Sequence, residues 1–164
     1  MKALGVIGYS GSGKTTLLCA LIPLLRAAGF RIAVVKSTHH DVDWDTPGKD
    51  SYRLREVGAE TVMLQGPKRW FTTCLAPEQV TLESILDSLP APADLLLIEG
   101  NKGLPISKIE VHRPALQKPL LAAEDHRIIA VASDAILPAH CAVLDLNAPE
   151  SIAQFIHHWI HEEP

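Results

Sequence analysis

The sequence predicts a three-layer α/β fold over a single domain, 1–164: a mostly parallel sheet with helices on both faces and a β-hairpin extension. Three observations carry that expectation. Short apolar runs recur at 3–7, 31–36, 94–100, 127–132 and 141–146, as strands buried on both faces require. Helical patterns fall between several of them, the order of βαβ units. The first run also opens directly onto a glycine-rich stretch and then an apolar helix, Gly8-Tyr9-Ser10-Gly11-Ser12-Gly13-Lys14-Thr15 followed by Thr16.

That stretch matches G-x-x-x-x-G-K-[ST], the phosphate-binding P-loop, in the strand–loop–helix context the motif needs, so the expected fold is P-loop NTPase-like. Gly8, Gly11 and Gly13 let the chain take positive φ and bring its N–H groups, with those of Ser10, Ser12 and Thr16, close to phosphate oxygens. The helix that follows aims its positive end at the same anion. Lys14 is placed to reach the β- and γ-phosphates, and the Thr15 hydroxyl to ligate Mg2+. A chance glycine-rich turn would rarely also sit between a strand and a helix.

The first helix is expected over 14–28, stopping at Gly29, with Pro23 as a kink or irregularity inside it. The strand at 31–36 reads as covered on both faces. A polar loop, 37–45, follows at its carboxyl end, the edge where ligands bind in open α/β sheets. Thr46 as N-cap and Pro47 at the first helical position open a second helix that Gly58 ends. Residues 60–65 and 69–74 form a hairpin about Gly66-Pro67-Lys68. The spacing predicts a helix over 77–89, a buried strand over 94–100 and a strand nearer an edge over 106–111. A last helix, 149–161, carries Ile152, Phe155, Ile156 and Trp159 on one face.

With 164 residues, 47% apolar and 21% charged, the chain has the composition of one compact globule. A net charge of −4 argues against a nucleic-acid footprint or an anionic-membrane surface. Cys19, Cys74 and Cys141 form no C-x-x-C pair and read as small buried hydrophobes in a reducing compartment. With the first strand beginning near Met1 and no apolar run of membrane length, the expected location is the cytoplasm.

Glu99 ends an apolar strand at the ligand edge, where a second carboxylate would hold Mg2+ or polarise an attacking water. Asp94 lies at the opposite end and ranks below it. The loop His39-His40-Asp41-Val42-Asp43-Trp44-Asp45 reads as a switch over the nucleotide, with His39 or His40 on phosphate and Asp41 on the metal; a solvated loop and a separate metal site stay open. Asp134, just past a strand, could accept from guanine or serve as a turn aspartate. His157, His158 and His161 read as a solvated helix face, and Lys68-Arg69 as surface charge. Base choice is not encoded: Asn101-Lys102-Gly103-Leu104 departs from Asn-Lys-x-Asp at its fourth position.

The P-loop at 8–15, His39-His40-Asp41 leading into Thr46-Pro47-Gly48-Lys49-Asp50-Ser51, Ile98-Glu99-Gly100-x-Lys102, Lys108-Ile109-Glu110 and Val131-Ala132-Ser133-Asp134 together resemble the MobB family of molybdopterin-guanine dinucleotide biosynthesis adapter proteins. The resemblance spans the chain in order, and the histidine pair with Pro-Gly-Lys-Asp-Ser is its specific part. It implies GTP as ligand with Mg2+, a homodimer associating through its sheets, weak GTPase activity at most, and assistance to the guanylyltransferase MobA. Asn101 departs from the aromatic residue expected after Glu-Gly, and Ser37 stands where a basic residue is common. The alternative is a small-molecule kinase, which would need an arginine-rich lid; here Arg53-x-Arg55 is the only close arginine pair.

Overall fold

The computed structural model describes residues 1–38, 40, 42–43, 45–75 and 78–162. They fall into two compact units, Met1–Ser37 with Leu89–Pro164, and Thr38–Ser88.

The first unit is built on a six-stranded sheet whose paired strands all run parallel. In chain order its strands are β1 (Lys2–Ile7), β2 (Ile32–Lys36), β5 (Leu95–Glu99), β6 (Lys108–His112), β7 (Ile128–Ser133) and β8 (Ala142–Asp145), arranged β2-β5-β1-β6-β7-β8. β1 therefore lies between β5 and β6, and the loop leaving its carboxyl end is flanked on both sides by strand ends. Leu4 and Val6 of β1 face a core shared with the helices α1 (Lys14–Ala27) and α4 (Pro149–His161). Ile7 faces the other way, toward Ala122 in the second of two 3-10 helices, Pro114–Leu116 and Leu121–Ala123, which fill the β6–β7 crossover. This is the expected α/β, P-loop NTPase-like architecture.

Several expectations need correction. β2 is not covered on both faces: it is an edge strand, and Val34 stands 46% exposed. β6 is not near an edge: all five of its residues are buried, between β1 and β7. Its sequence alternates because Lys108, Glu110 and His112 share one face, and that polar face is satisfied inside the protein. Lys108 Nζ pairs with Asp125 Oδ2 at 2.8 Å. The Glu110 carboxylate accepts the Leu121 and Ala122 N–H groups at 2.9 and 2.8 Å, fixing the second 3-10 helix, and lies 3.6 Å from His112 Nδ1. α1 runs unbroken through Pro23, whose side chain and the Cys19 residue a turn earlier are exposed, so water can meet the carbonyl that proline leaves without a donor. The cysteines are not buried hydrophobes either: Cys19 and Cys74 are exposed and Cys141 half-buried, with burial pushing its thiol pKa up.

The second unit holds α2 (Asp50–Glu56), the antiparallel hairpin β3 (Thr61–Gln65) with β4 (Trp70–Cys74), and α3 (Leu82–Asp87). α2 starts later than expected because Pro47-Gly48 makes a turn instead, with Gly48 at φ +85° and the Lys49 N–H donated to the Thr46 carbonyl at 3.1 Å. α3 is shorter than the spacing suggests: a reciprocal capping box between Thr81 and Ser84 sets its start, and Pro77 lies outside the described residues. The hairpin is where expected, its turn closed by the Gly66 N–H on the Arg69 carbonyl at 2.9 Å.

Candidate functional site

The P-loop leaves β1 and enters α1 with Gly8, Gly11 and Gly13 all at positive φ. Two of these glycines have separate reasons. A Cβ on Gly8 would lie 2.4 Å from the Val111 carbonyl oxygen, so Gly8 lets the loop pack on β6. A Cβ on Gly11 would meet nothing within 4 Å, which leaves that backbone open to a ligand.

Lys14 is folded back on its own loop, donating to the Gly8 and Tyr9 carbonyls at 3.1 and 2.9 Å. Partial burial lowers its pKa; the nearby Glu99 carboxylate opposes that shift, while the Lys102 and Lys36 ammonium groups add to it. Thr15 Oγ1 donates to Glu99 Oε1 at 2.7 Å. Lys36 Nζ, at the end of β2, stands 3.4 Å from each of those two oxygens. Glu99 itself is almost wholly buried, and the β2–β5 register sets Lys36 directly opposite it.

On the other flank Arg113, one residue past β6, donates through Nε to the Ser12 carbonyl at 3.1 Å and through Nη1 to Asp134 Oδ2 at 2.6 Å. The loop is thus gripped from both sides, by a carboxylate on its threonine and a guanidinium on its backbone.

The residues present fit a phosphate group. The Gly11 backbone is open, three ammonium groups converge, and the Ser12 hydroxyl is buried with no hydrogen-bond partner. The Thr15 hydroxyl and Glu99 carboxylate, already 2.7 Å apart, are the hard oxygen donors a Mg2+ ion takes. Among the described residues no group of three or more His, Cys, Asp and Glu side chains is placed to hold a metal on its own.

Of the remaining sequence candidates, Asp134 is tied to Arg113. Asp94, at the far end of β5, makes a two-pronged pair with Arg31 at 3.0 and 2.7 Å that holds its carboxyl well below the usual range, a role apart from the loop. His39, Asp41 and Trp44 lie outside the described residues. His40 belongs to the second unit, where it is exposed and its N–H donates to Thr38 Oγ1. In that unit Asp43 pairs with Arg55 at 2.7 and 3.2 Å, and Asp45 accepts from Ser51 Oγ. On α4 the His157 and His161 rings pack on each other and beside Phe30.

Sequence reasoning missed Lys36 and Arg113. Both sit at the carboxyl end of a strand beside β1 or β5, and the rule that ligands gather at that edge of a parallel sheet singles them out once the strand order is known.

Residues 3–134 match the family model described as "MobB: Molybdopterin guanine dinucleotide synthesis protein B". The chain is 42% identical over 159 residues to a molybdopterin-guanine dinucleotide biosynthesis adapter protein of Haemophilus influenzae, covering 96% of this chain and 89% of that one. It is 40% identical over 166 residues to the protein so named in Escherichia coli, covering 98% and 94%. Among solved structures, one of molybdopterin-guanine biosynthesis protein B superposes with a TM-score of 0.76 at 26% identity, over 96% of this chain and 99% of that one.

Proposed function

The chain belongs to the MobB family, and from that premise we propose that it is a GTP-binding adapter that assists a guanylyltransferase in converting molybdopterin cofactor to its guanine dinucleotide form. The observation that carries the reading is the phosphate cradle, with Lys14 at its centre and the Thr15–Glu99 contact beside it. Gly8, Ser10, Gly11, Ser12, Gly13, Lys14, Thr15 and Thr16 hold the triphosphate by backbone N–H groups, hydroxyls and one ammonium. Thr15 and Glu99 hold Mg2+, which when bound neutralises phosphate charge and orders water. Glu99 would also be a carboxylate able to accept a proton from water, consistent with hydrolysis that is slow at most. Asp134, steered by Arg113, faces the guanine.

Two further features belong to this reading. Among the described residues no helix is long and apolar enough to cross a membrane, and we place the protein in the cytoplasm as one nucleotide-binding domain. Met63, Leu64, Trp70 and Phe71 of the hairpin are all more than half exposed, on both of its faces. A two-stranded ribbon with apolar side chains open to water is unstable alone, which supports a homodimer formed through it.

Titrating GTP against ATP with Mg2+, then adding the chain and GTP to purified guanylyltransferase MobA, tests the proposal. Tighter GTP binding and a gain in dinucleotide formation are expected. ATP preference with acceptor-dependent ADP release would instead mark a small-molecule kinase.

A further inference from the structure

Among the described residues only two non-glycine positions have positive φ, Asn101 at 50° and Gln117 at 51°. Each is followed at once by a lysine, and both lysines lean on one ring. Lys102 Nζ is 4.1 Å from the centroid of Tyr9, and Lys118 Nζ is 6.0 Å from it. Tyr9 is the second residue of the P-loop. Left-handed backbone in a residue with a Cβ costs energy and persists where the surroundings hold it. Here it turns two cations toward the loop, and the electron-rich face of Tyr9 gives them a seat.

Lys102 is the more informative of the pair. It leaves β5 three residues after Glu99, and its charge reaches Lys14, the residue type that spans the β- and γ-phosphates. Among the described residues Lys14 and Lys102 make no ion pair with a carboxylate, whereas Lys36 has Glu99 and Arg113 has Asp134. Lys14 is answered in part by two loop carbonyls and the nearby Glu99 charge, and a further phosphate charge would relieve its remaining repulsion with Lys102. A diphosphate engages the loop and Lys14; the added terminal group is what Lys102 is free to meet.

We propose that Lys102, seated over Tyr9, is the residue by which this site tells a nucleoside triphosphate from the diphosphate. The inference rests on the reading of the P-loop as a nucleotide site, and the test separates the two. GTP and GDP, each with Mg2+, are titrated by calorimetry against the wild type, Lys102→Ala, Lys102→Arg, Tyr9→Leu and Lys118→Ala at two salt concentrations. The wild type should bind GTP at least tenfold more tightly than GDP. Lys102→Ala should weaken GTP about tenfold while moving GDP less than about twofold, as expected for losing one charge-assisted contact. Lys102→Arg should restore most of the preference, Tyr9→Leu should lose part of it, and Lys118→Ala should move the ratio less than Lys102→Ala does. If Lys102→Ala unfolds the chain, Lys102→Gln replaces it, with melting curves to confirm the fold. Equal binding of GTP and GDP by the wild type, or a ratio unchanged in Lys102→Ala, overturns the proposal while leaving the nucleotide site intact. Failure of the wild type to bind either nucleotide overturns both.

Discussion

β5 and β6 flank the same central strand, both are buried throughout, and they could hardly be composed more differently. β5 is Leu95-Leu96-Leu97-Ile98-Glu99, apolar until its last residue; β6 is Lys108-Ile109-Glu110-Val111-His112, polar at every second position. β5 is stabilised by transfer of side chains out of water on both faces. One face of β6 is stabilised that way, through Ile109 and Val111; the other is held by pairing buried charge, through Lys108–Asp125 and the Glu110 cap. The difference teaches that period-two alternation marks a solvent-facing strand only when nothing inside the protein answers the polar positions. Both strands then end beside the P-loop, β5 with an anion on Thr15 and β6 followed by a cation on the Ser12 carbonyl.

Substitutions can break that comparison, and the largest effect is expected at Glu110. Glu110→Ala leaves the Leu121 and Ala122 N–H groups without acceptors, the second of them fully buried. It should cost on the order of 4 kcal/mol in denaturant unfolding. Asp125→Asn should cost about 2–3 kcal/mol, because it leaves the buried Lys108 ammonium without its counter-charge while a quarter-exposed partner position lets some water in. The Asp125 carboxyl is held below its ordinary pKa of 3.8, first by the Lys108 hydrogen bond. Its contribution is therefore complete above the ordinary value and lost as pH falls through the lowered one. Below about pH 4 the wild type should lose stability more steeply than Asp125→Asn, as followed by melting across a pH series.

Glu99→Gln should behave in the opposite manner. Among the described residues its polar contacts are Thr15 and the exposed Lys36, and glutamine keeps an acceptor for Thr15, so stability should change by less than about 1 kcal/mol. Mg2+ should then no longer tighten nucleotide binding, measured as affinity with and without the ion. The smallest effect is expected at Val34, on the exposed edge strand: Val34→Thr should shift stability by less than about 0.5 kcal/mol, and a larger loss would mean that β2 is covered after all.

The contrast also shows what a sequence can and cannot disclose. The P-loop, β5 and α4 were legible because their signals are local, a motif with its flanking strand and helix in one case and apolar periodicity in the others. The position of β6 was not, since Asp125 and the 121–122 backbone that satisfy its polar face arrive from the following crossover. Glu99 could be read as a strand-ending carboxylate, yet its contact with Thr15 spans 84 positions and Lys36 joins them only through strand order. Arg113 carried no signal of its own: it became a site residue when β6 was placed beside β1. In the second unit, Thr46-Pro47 read as a helix start, and a turn formed there instead because Gly48 takes positive φ.

The site proposed for the phosphates of a guanine nucleotide is the loop between β1 and α1, with Lys14 as its cation. Calorimetric titration of GTP with Mg2+ into the wild type and into Lys14→Ala, with matched melting curves, tests it most directly. Saturable binding by the wild type and at least a hundredfold weaker binding by the folded variant is the predicted result. Unchanged affinity in Lys14→Ala would contradict it.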